Sequence, residues 1–156
     1  SGRHRRLCVF SWHHRGTPER PGLVLGLDRG GACRGLVFRV DPAERDTVLA
    51  YLRAREQVTA VYDERVVRVR TPGGETLDAV TYVVNRRHPQ YAGRLDLATQ
   101  LATVRGARGA SGPNEEYVLQ TAAHLDEMGV PDPDLAALAR LLDGAGDAPA
   151  PSGPSA

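Results

Sequence analysis

Thiol chemistry is nearly missing from this chain. Only two of its 156 residues are cysteine, Cys8 and Cys33, with no CxxC pair and no framework spacing. That leaves no disulfide scaffold, and both are expected as buried thiols in a reducing cytoplasm. Net charge is scarce too. Twenty Lys and Arg against nineteen Asp and Glu give +1, too weak a field to draw in nucleic acid or a membrane. The one basic run, "RHRR" (3–6), is too short to support nucleic-acid binding. There is no signal-peptide core, and no apolar stretch approaches the length of a membrane span. HExxH, P-loop, G-x-S-x-G and Cys–His nucleophile signatures are all absent. The chain also lacks an initiator Met and opens on Ser-Gly, as a fragment or processed product does.

What is present is an ordinary globular composition. Hydrophobic residues make up 41% and charged residues 25%, enough for one domain with a real core. "RRLCVFSW" (5–12) and "LVLGLD" (23–28) read as strands, separated by the Gly- and Pro-bearing loop "HHRGTPERPG". The turn "DRGG" (28–31) predicts a hairpin into a third strand, "ACRGLVFRV" (32–40). "DPAERDTVLAYLRAREQ" (41–57) predicts a helix, with Asp41 as cap, Pro42 in the first turn and Glu44 completing a capping box. Strands follow at 61–70 and 76–85 around "TPGG". The second contains "AVTYVV", apolar on both faces as a doubly covered strand would be. A loop (86–93) leads to helices near 95–105, 113–129 and 134–143. Residues 144–156, rich in Pro, Gly and Ala, are expected to be a disordered tail. The order predicts an α+β domain over 1–143 with a curved or closed antiparallel sheet.

Glu56 stands out on the first helix. With Val48 at zero, Leu52 falls near about 40°, Glu56 near about 80° and Leu49 near about 100° on the helical wheel. The acid therefore shares the apolar arc and sits in the last turn, against the negative end of the helix dipole. Both effects push a carboxylate toward the proton-transfer range. An ordinary ion pair with a neighbour such as Arg55 is the competing reading. "GARGASGPNEEYVLQ" (106–120) sets glycines before a helix start whose free N–H groups could hold an anion. Tyr117 lies one turn in, in line with Thr121, His124 and Met128, and either packs in the core or faces a ligand. His13 and His14 are adjacent, so on an extended chain they point to opposite faces and make a poor metal pair. No metal site is expected. Arg15 beside them has the planar fork that suits a carboxylate.

Taken in order, "RRLCVFSWHHRGTPERPGLVLGLDRGGACRGLVFRV", "YLRAREQV", "YVVNRRHPQYAG" and "GARGASGPNEEYVLQTAAHL" resemble the ChaC-type γ-glutamylcyclotransferases from about residue 2 to about 142. The resemblance implies a small, mostly antiparallel β-barrel with flanking helices. It implies cleavage of glutathione into 5-oxoproline and cysteinylglycine, without cofactor. The glutamate ending Y-L-R-x-R-E would be the catalytic one, here Glu56. The tyrosine of N-x-x-Y would be Tyr117, after Asn114. The H-R-G loop maps onto His14, Arg15 and Gly16 as substrate-binding residues. The family's Y-G-S-L turn, which cradles the γ-glutamyl group, does not occur in the chain, which begins downstream of where that turn belongs. Two alternatives follow: an inactive or ligand-binding remnant, and a cyclotransferase for other γ-glutamyl compounds. A monomer is expected, because no heptad or interface stripe is visible.

Overall fold

The computed structural model describes residues 2–56 and 59–144. It is α+β, and its residues gather into two compact units that interleave along the chain. The first takes Ser1–Phe10 and Val24–Arg94, the second Ser11–Leu23 and Leu95–Ala156.

The two opening strands are β1 (Arg3–Ser11) and β2 (Gly22–Arg29), hydrogen-bonded as a two-stranded sheet. In the first unit their buried face joins a core of Cys8, Val9, Val61 and Val84, with Val24, Tyr62 and Tyr91 packed against it. An isolated antiparallel bridge between Val9 and Tyr91 ties the 86–93 loop to that core. Helix α1 (Arg45–Glu56) begins later than the sequence pattern predicts. The Asp41 carboxylate accepts from Ala43 N at 2.8 Å, and its carbonyl accepts from Glu44 N, so 42–44 form a turn ahead of the helix.

β3 (Tyr62–Arg70) and β4 (Thr76–Val84) pair antiparallel, from Tyr62 opposite Val84 to Arg70 opposite Thr76. Thr71 and Gly74 close their turn with backbone bonds, as "TPGG" predicts. Two expectations fail here. Residues 32–40 form no strand, and the predicted "DRGG" hairpin does not form: β2 runs on through Asp28 and Arg29, and the chain bends at Gly30 and Gly31, both at positive φ. An extended segment becomes a strand only when a neighbour supplies the ladder. Without one, Leu36, Val37 and Phe38 stay exposed, Phe38 at 82%. Nor is "AVTYVV" covered on both faces: Val80 is exposed, and burial is complete only at Val83 and Val84.

The second unit is mainly helical. α2 (Leu97–Val104) is capped by Asp96, which accepts from Thr99 N at 2.7 Å. A miniature hairpin, β5 (Arg108–Gly109) with β6 (Gly112–Pro113), precedes α3 (Asn114–Glu127), and α4 (Pro133–Asp143) follows with Asp132 as its cap. α4 packs against both α2 and α3. Leu23, Val104, Val118, Leu125, Leu135 and Leu138 are the large apolar residues buried in this unit. Gly144 N–H closes α4 on the Arg140 carbonyl, and the expected disordered tail beyond it lies outside the described residues. Among the described residues the strands pair two by two, in three sheets, and no helix is long and apolar enough to cross a membrane.

Candidate active-site residues

Glu56 is the last residue of α1, in the first unit. The arc expected to be apolar and covered is only partly so: α1 buries none of its residues, and Val48, Leu49 and Leu52 are half-buried. The Glu56 side chain is 31% exposed, with the Arg55 Nε at 3.3 Å from its Oε1. Its neighbourhood contains a polar cluster that helical periodicity gives no means of finding. Arg53 grips Glu64 through two bonds, Nε–Oε2 at 2.7 Å and Nη2–Oε1 at 2.8 Å, and the Tyr82 hydroxyl donates to Glu64 Oε2 at 3.2 Å. The bond from Arg53 holds Glu64 below its ordinary value against a smaller opposing effect of burial, and the bond from Tyr82 adds to it. Burial pushes the Tyr82 phenol up. Its bond to Glu64 and the Glu64 charge add to this, Arg53 opposes, and Glu56 contributes a further upward push. Glu56 is therefore a second carboxylate within electrostatic reach of Tyr82, and it keeps a face open to solvent.

The other predicted residues lie together in the second unit, held by the β5–β6 hairpin. Ala110 N donates to the His13 carbonyl and Ser111 N to the His14 carbonyl, each at 2.8 Å. Gly109 makes that approach possible, because a Cβ there would overlap the His13 carbonyl oxygen and the His14 backbone. The His14 Nδ1 lies 3.0 Å from Ser111 Oγ. Residues 12–15 bend and do not run extended, so the rings of His13 and His14 meet edge-to-face at 4.9 Å instead of pointing apart. Among the described residues no group of three or more His, Cys, Asp or Glu could hold a metal ion.

Arg15 is fixed at both ends. Its N–H donates to Ser11 Oγ at 2.9 Å, and its Nη1 donates to the Pro113 carbonyl at 3.1 Å and lies 3.9 Å from Glu116 Oε2. Its guanidinium carbon stands 5.6 Å from the centre of the Tyr117 ring, within cation–π range. Gly16 is buried where a Cβ would overlap the Gly22 nitrogen and the carbonyl oxygens of Ser11 and Arg20, so only glycine fits. The anchor of this arrangement is Asn114, 0% exposed. Its Oδ1 accepts from Leu23 N at 2.7 Å and its Nδ2 donates to the Leu23 carbonyl at 2.8 Å. This pins the α3 start to β2, one turn ahead of Tyr117. At the same helix start Asn114 N donates to the Ala107 carbonyl at 2.8 Å, Glu115 accepts from Gly106 N at 2.7 Å, and the first turn carries the acids Glu115 and Glu116.

Collinear matches with known proteins complete this picture. The family model described as ChaC-like protein matches residues 1–144. The chain belongs to the ChaC-like family. It is 28% identical over 134 residues to the glutathione-specific γ-glutamylcyclotransferase of Escherichia coli K12, covering 86% of this chain and 58% of that protein. To the human glutathione-specific γ-glutamylcyclotransferase 1 it is 30% identical over 149 residues, covering 93% and 67%. The chain thus spans about three fifths of the length of its bacterial and mouse relatives. In fold it is similar to the crystal structure of the yeast γ-glutamylcyclotransferase specific to glutathione. The TM-score is 0.74 at 20% identity, covering 92% of this chain and 84% of that one.

One further cluster in the ChaC-like chain escapes sequence reading. Asp28 reads from sequence only as a turn residue, yet it is 0% exposed and the most densely partnered carboxylate described. It accepts from Arg86 Nε at 2.7 Å, Arg29 N at 2.7 Å and the Tyr91 hydroxyl at 3.0 Å, with Arg6 at 3.5 Å. Burial pushes Asp28 up, but the bonds from Arg86, Arg29 N and Tyr91 outweigh it, and the net shift is downward. The two cysteines also part company: Cys8 is buried as expected, whereas Cys33, in the unpaired 32–40 segment, is exposed.

Proposed function

We propose that this chain cyclises the γ-glutamyl group of glutathione to 5-oxoproline and releases cysteinylglycine, with Glu56 as the acid/base. The observation that carries the reading is the ChaC-like match over residues 1–144, with relatives named glutathione-specific γ-glutamylcyclotransferase. The partly exposed Glu56 carboxylate, at the C-terminal residue of α1, supports its role.

The reaction is intramolecular. The substrate's α-amine attacks its own γ-carbonyl carbon, a five-membered lactam C–N bond forms, and the amide C–N bond to cysteine breaks. Folding the substrate into the attacking conformation supplies much of the rate, so no enzyme nucleophile is needed. The α-ammonium, with an ordinary pKa near ~8, loses one proton before attack and a second as the lactam C–N bond forms. Glu56 takes each in turn and passes it to the leaving nitrogen, which departs as the ammonium group of cysteinylglycine. The charge that develops on the carbonyl oxygen calls for backbone N–H donors, the part that the resemblance assigns to the Y-G-S-L turn. Arg15, fixed by Pro113 and Ser11, and Tyr117 beneath it are assigned to substrate binding, with His14 and Gly16 shaping that loop. Because Glu56 and the Arg15–Tyr117 group lie in different units, the two assignments are separate and are tested separately. The closed or curved mostly antiparallel barrel, a single functional domain over 1–143, a monomeric state and a cytoplasmic location belong to the same reading. Likeness to the yeast fold supports the α+β class, and among the described residues the strands pair two by two with no closed barrel.

The test is incubation with glutathione and assay of cysteinylglycine and 5-oxoproline. Glu56→Gln is expected to lower kcat by about 10²–10⁴ with an unchanged circular dichroism spectrum. Arg15→Ala is expected to raise KM more than it lowers kcat. Equal turnover by wild type and Glu56→Gln sinks the catalytic assignment, and turnover of other γ-glutamyl compounds without glutathione turnover sinks the substrate.

A further inference from the structure

The first unit carries a polar cavity of about 350 Å³, lined by Arg29, Asp63, Arg65, Val84, Asn85, Arg86 and Arg87. Four arginines line it against one acidic residue. Asp63 is already committed to Arg65, at 2.9 Å. Asp28, the other acid engaged among the described residues, is buried behind Arg86, which it holds through Nε. Among the described residues no carboxylate pairs with the guanidinium of Arg29 or of Arg87.

The cavity is built, not an accident of mobile arginines. Arg86 is fixed by Asp28 through Nε and by the Arg29 carbonyl through Nη2 at 3.2 Å, and it stands 5.9 Å over the Tyr91 ring. The turn that carries Arg86 and Arg87 is tied by Asn85: its N–H donates to the Val61 carbonyl at 2.8 Å, and its Oδ1 accepts from Arg87 N at 3.0 Å. The cavity is also distinct from the surroundings of Glu56. Side chains alternate along a strand, and in the β3–β4 register Glu64 pairs with Tyr82 while Asp63 and Arg65 pair with Val83 and Thr81. Asp63 and Arg65 therefore point to the opposite face of the hairpin from the Arg53–Glu64–Tyr82 cluster.

We propose that this cavity is a binding site for a phosphate group, free or as a small phosphate ester, separate from the Glu56 neighbourhood. One planar carboxylate is satisfied by a single guanidinium fork. Arginines arriving from the end of β2, from β3 and from the turn after β4 supply donors from three elements, which suits the several oxygens of a tetrahedral dianion. The volume accepts a small organic phosphate, being within the ordinary range of ligand cavities.

The test uses the full chain, with amide chemical shifts followed by NMR and heats by calorimetry. The probes are inorganic phosphate, sulfate and glycerol phosphate, each matched in ionic strength by sodium chloride. Saturable shifts confined to residues 28–29, 63–65 and 84–87 are expected with all three. Arg29→Ala and Arg87→Ala, both at exposed positions, each weaken binding about tenfold, while Arg70→Ala, an exposed arginine far along β3, leaves it unchanged. Tighter binding of glycerol phosphate than of phosphate identifies an ester as the ligand, and the reverse order identifies the free ion. Succinate, a dicarboxylate dianion, binding as tightly as sulfate overturns the phosphate class. Shifts that sodium chloride reproduces, or binding indifferent to both arginine substitutions, overturn the site. The result is independent of whether glutathione is turned over.

Discussion

Replacing Asn114 by alanine tests the idea that one buried amide fastens the loop, hairpin and helix of the second unit. The side chain makes two bonds to a single residue, accepting from Leu23 N and donating to the Leu23 carbonyl, at 2.7 and 2.8 Å. Leu23 and Asn114 are both 0% exposed, so water does not replace the lost partners. Each buried group left unpaired costs about 1–3 kcal/mol. The two groups share one partner and do not add fully, so the expected loss is about 2–5 kcal/mol. Against a typical total of about 5–15 kcal/mol this is a large fraction. It corresponds to a fall in Tm of roughly 10 °C for a chain of this size. Urea unfolding followed by circular dichroism should show a lower midpoint with an unchanged slope. Asn114→Asp separates the two bonds. It keeps an acceptor for Leu23 N but turns a carboxylate toward the Leu23 carbonyl oxygen. Its penalty should therefore shrink at acid pH, where the protonated acid donates. A loss below about 0.5 kcal/mol for Asn114→Ala, the level of an ordinary surface change, would refute the role assigned to this residue.

Two other outcomes follow from the titrating groups. Burial pushes the Cys8 thiol up to about 12, with the Asp28 charge adding to the effect. The unfolded chain loses this proton near 9.0 while the folded chain keeps it, so stability falls as pH rises from about 9 toward 12. Thiol labelling of the native protein at pH 8 should modify Cys33 and spare Cys8 until denaturant is added. Two equally fast native thiols contradict this. Asp28 titrates below its ordinary 3.8, so its contribution is present above that value and is lost as pH falls through the lower folded one. Asp28→Asn leaves Arg86 and Arg6 without their counter-charge and is expected to cost about 3–5 kcal/mol at pH 7. The difference from wild type should narrow in acid, and a difference constant from pH 7 to pH 3 counts against the ion cluster.

Local rules determine a good deal of this protein without help. Alternation and β-branched residues are enough for β1 through β4. Pro and Gly mark the turns, and the helical stretches near 95–105, 113–129 and 134–143 are legible, because these features depend on neighbours within a few residues. The ordered motifs, including "YLRAREQ" and "GARGASGPNEEY", are enough to bring Glu56, Arg15 and Tyr117 forward as candidates. Partnership over long sequence distance lies beyond such rules. Residues 32–40 have strand chemistry, but no neighbour completes their ladder, so they remain unpaired. Asn114 finds Leu23 across ninety-one positions, and Asp28 finds Arg86 across fifty-eight. A turn aspartate becomes the most heavily partnered acid, and a helix-opening asparagine becomes a clamp, because burial removes water as the alternative partner and each polar group must be answered by whatever the fold brings beside it. The local pattern supplied the candidates; the tertiary structure decided which of them are held, and by what.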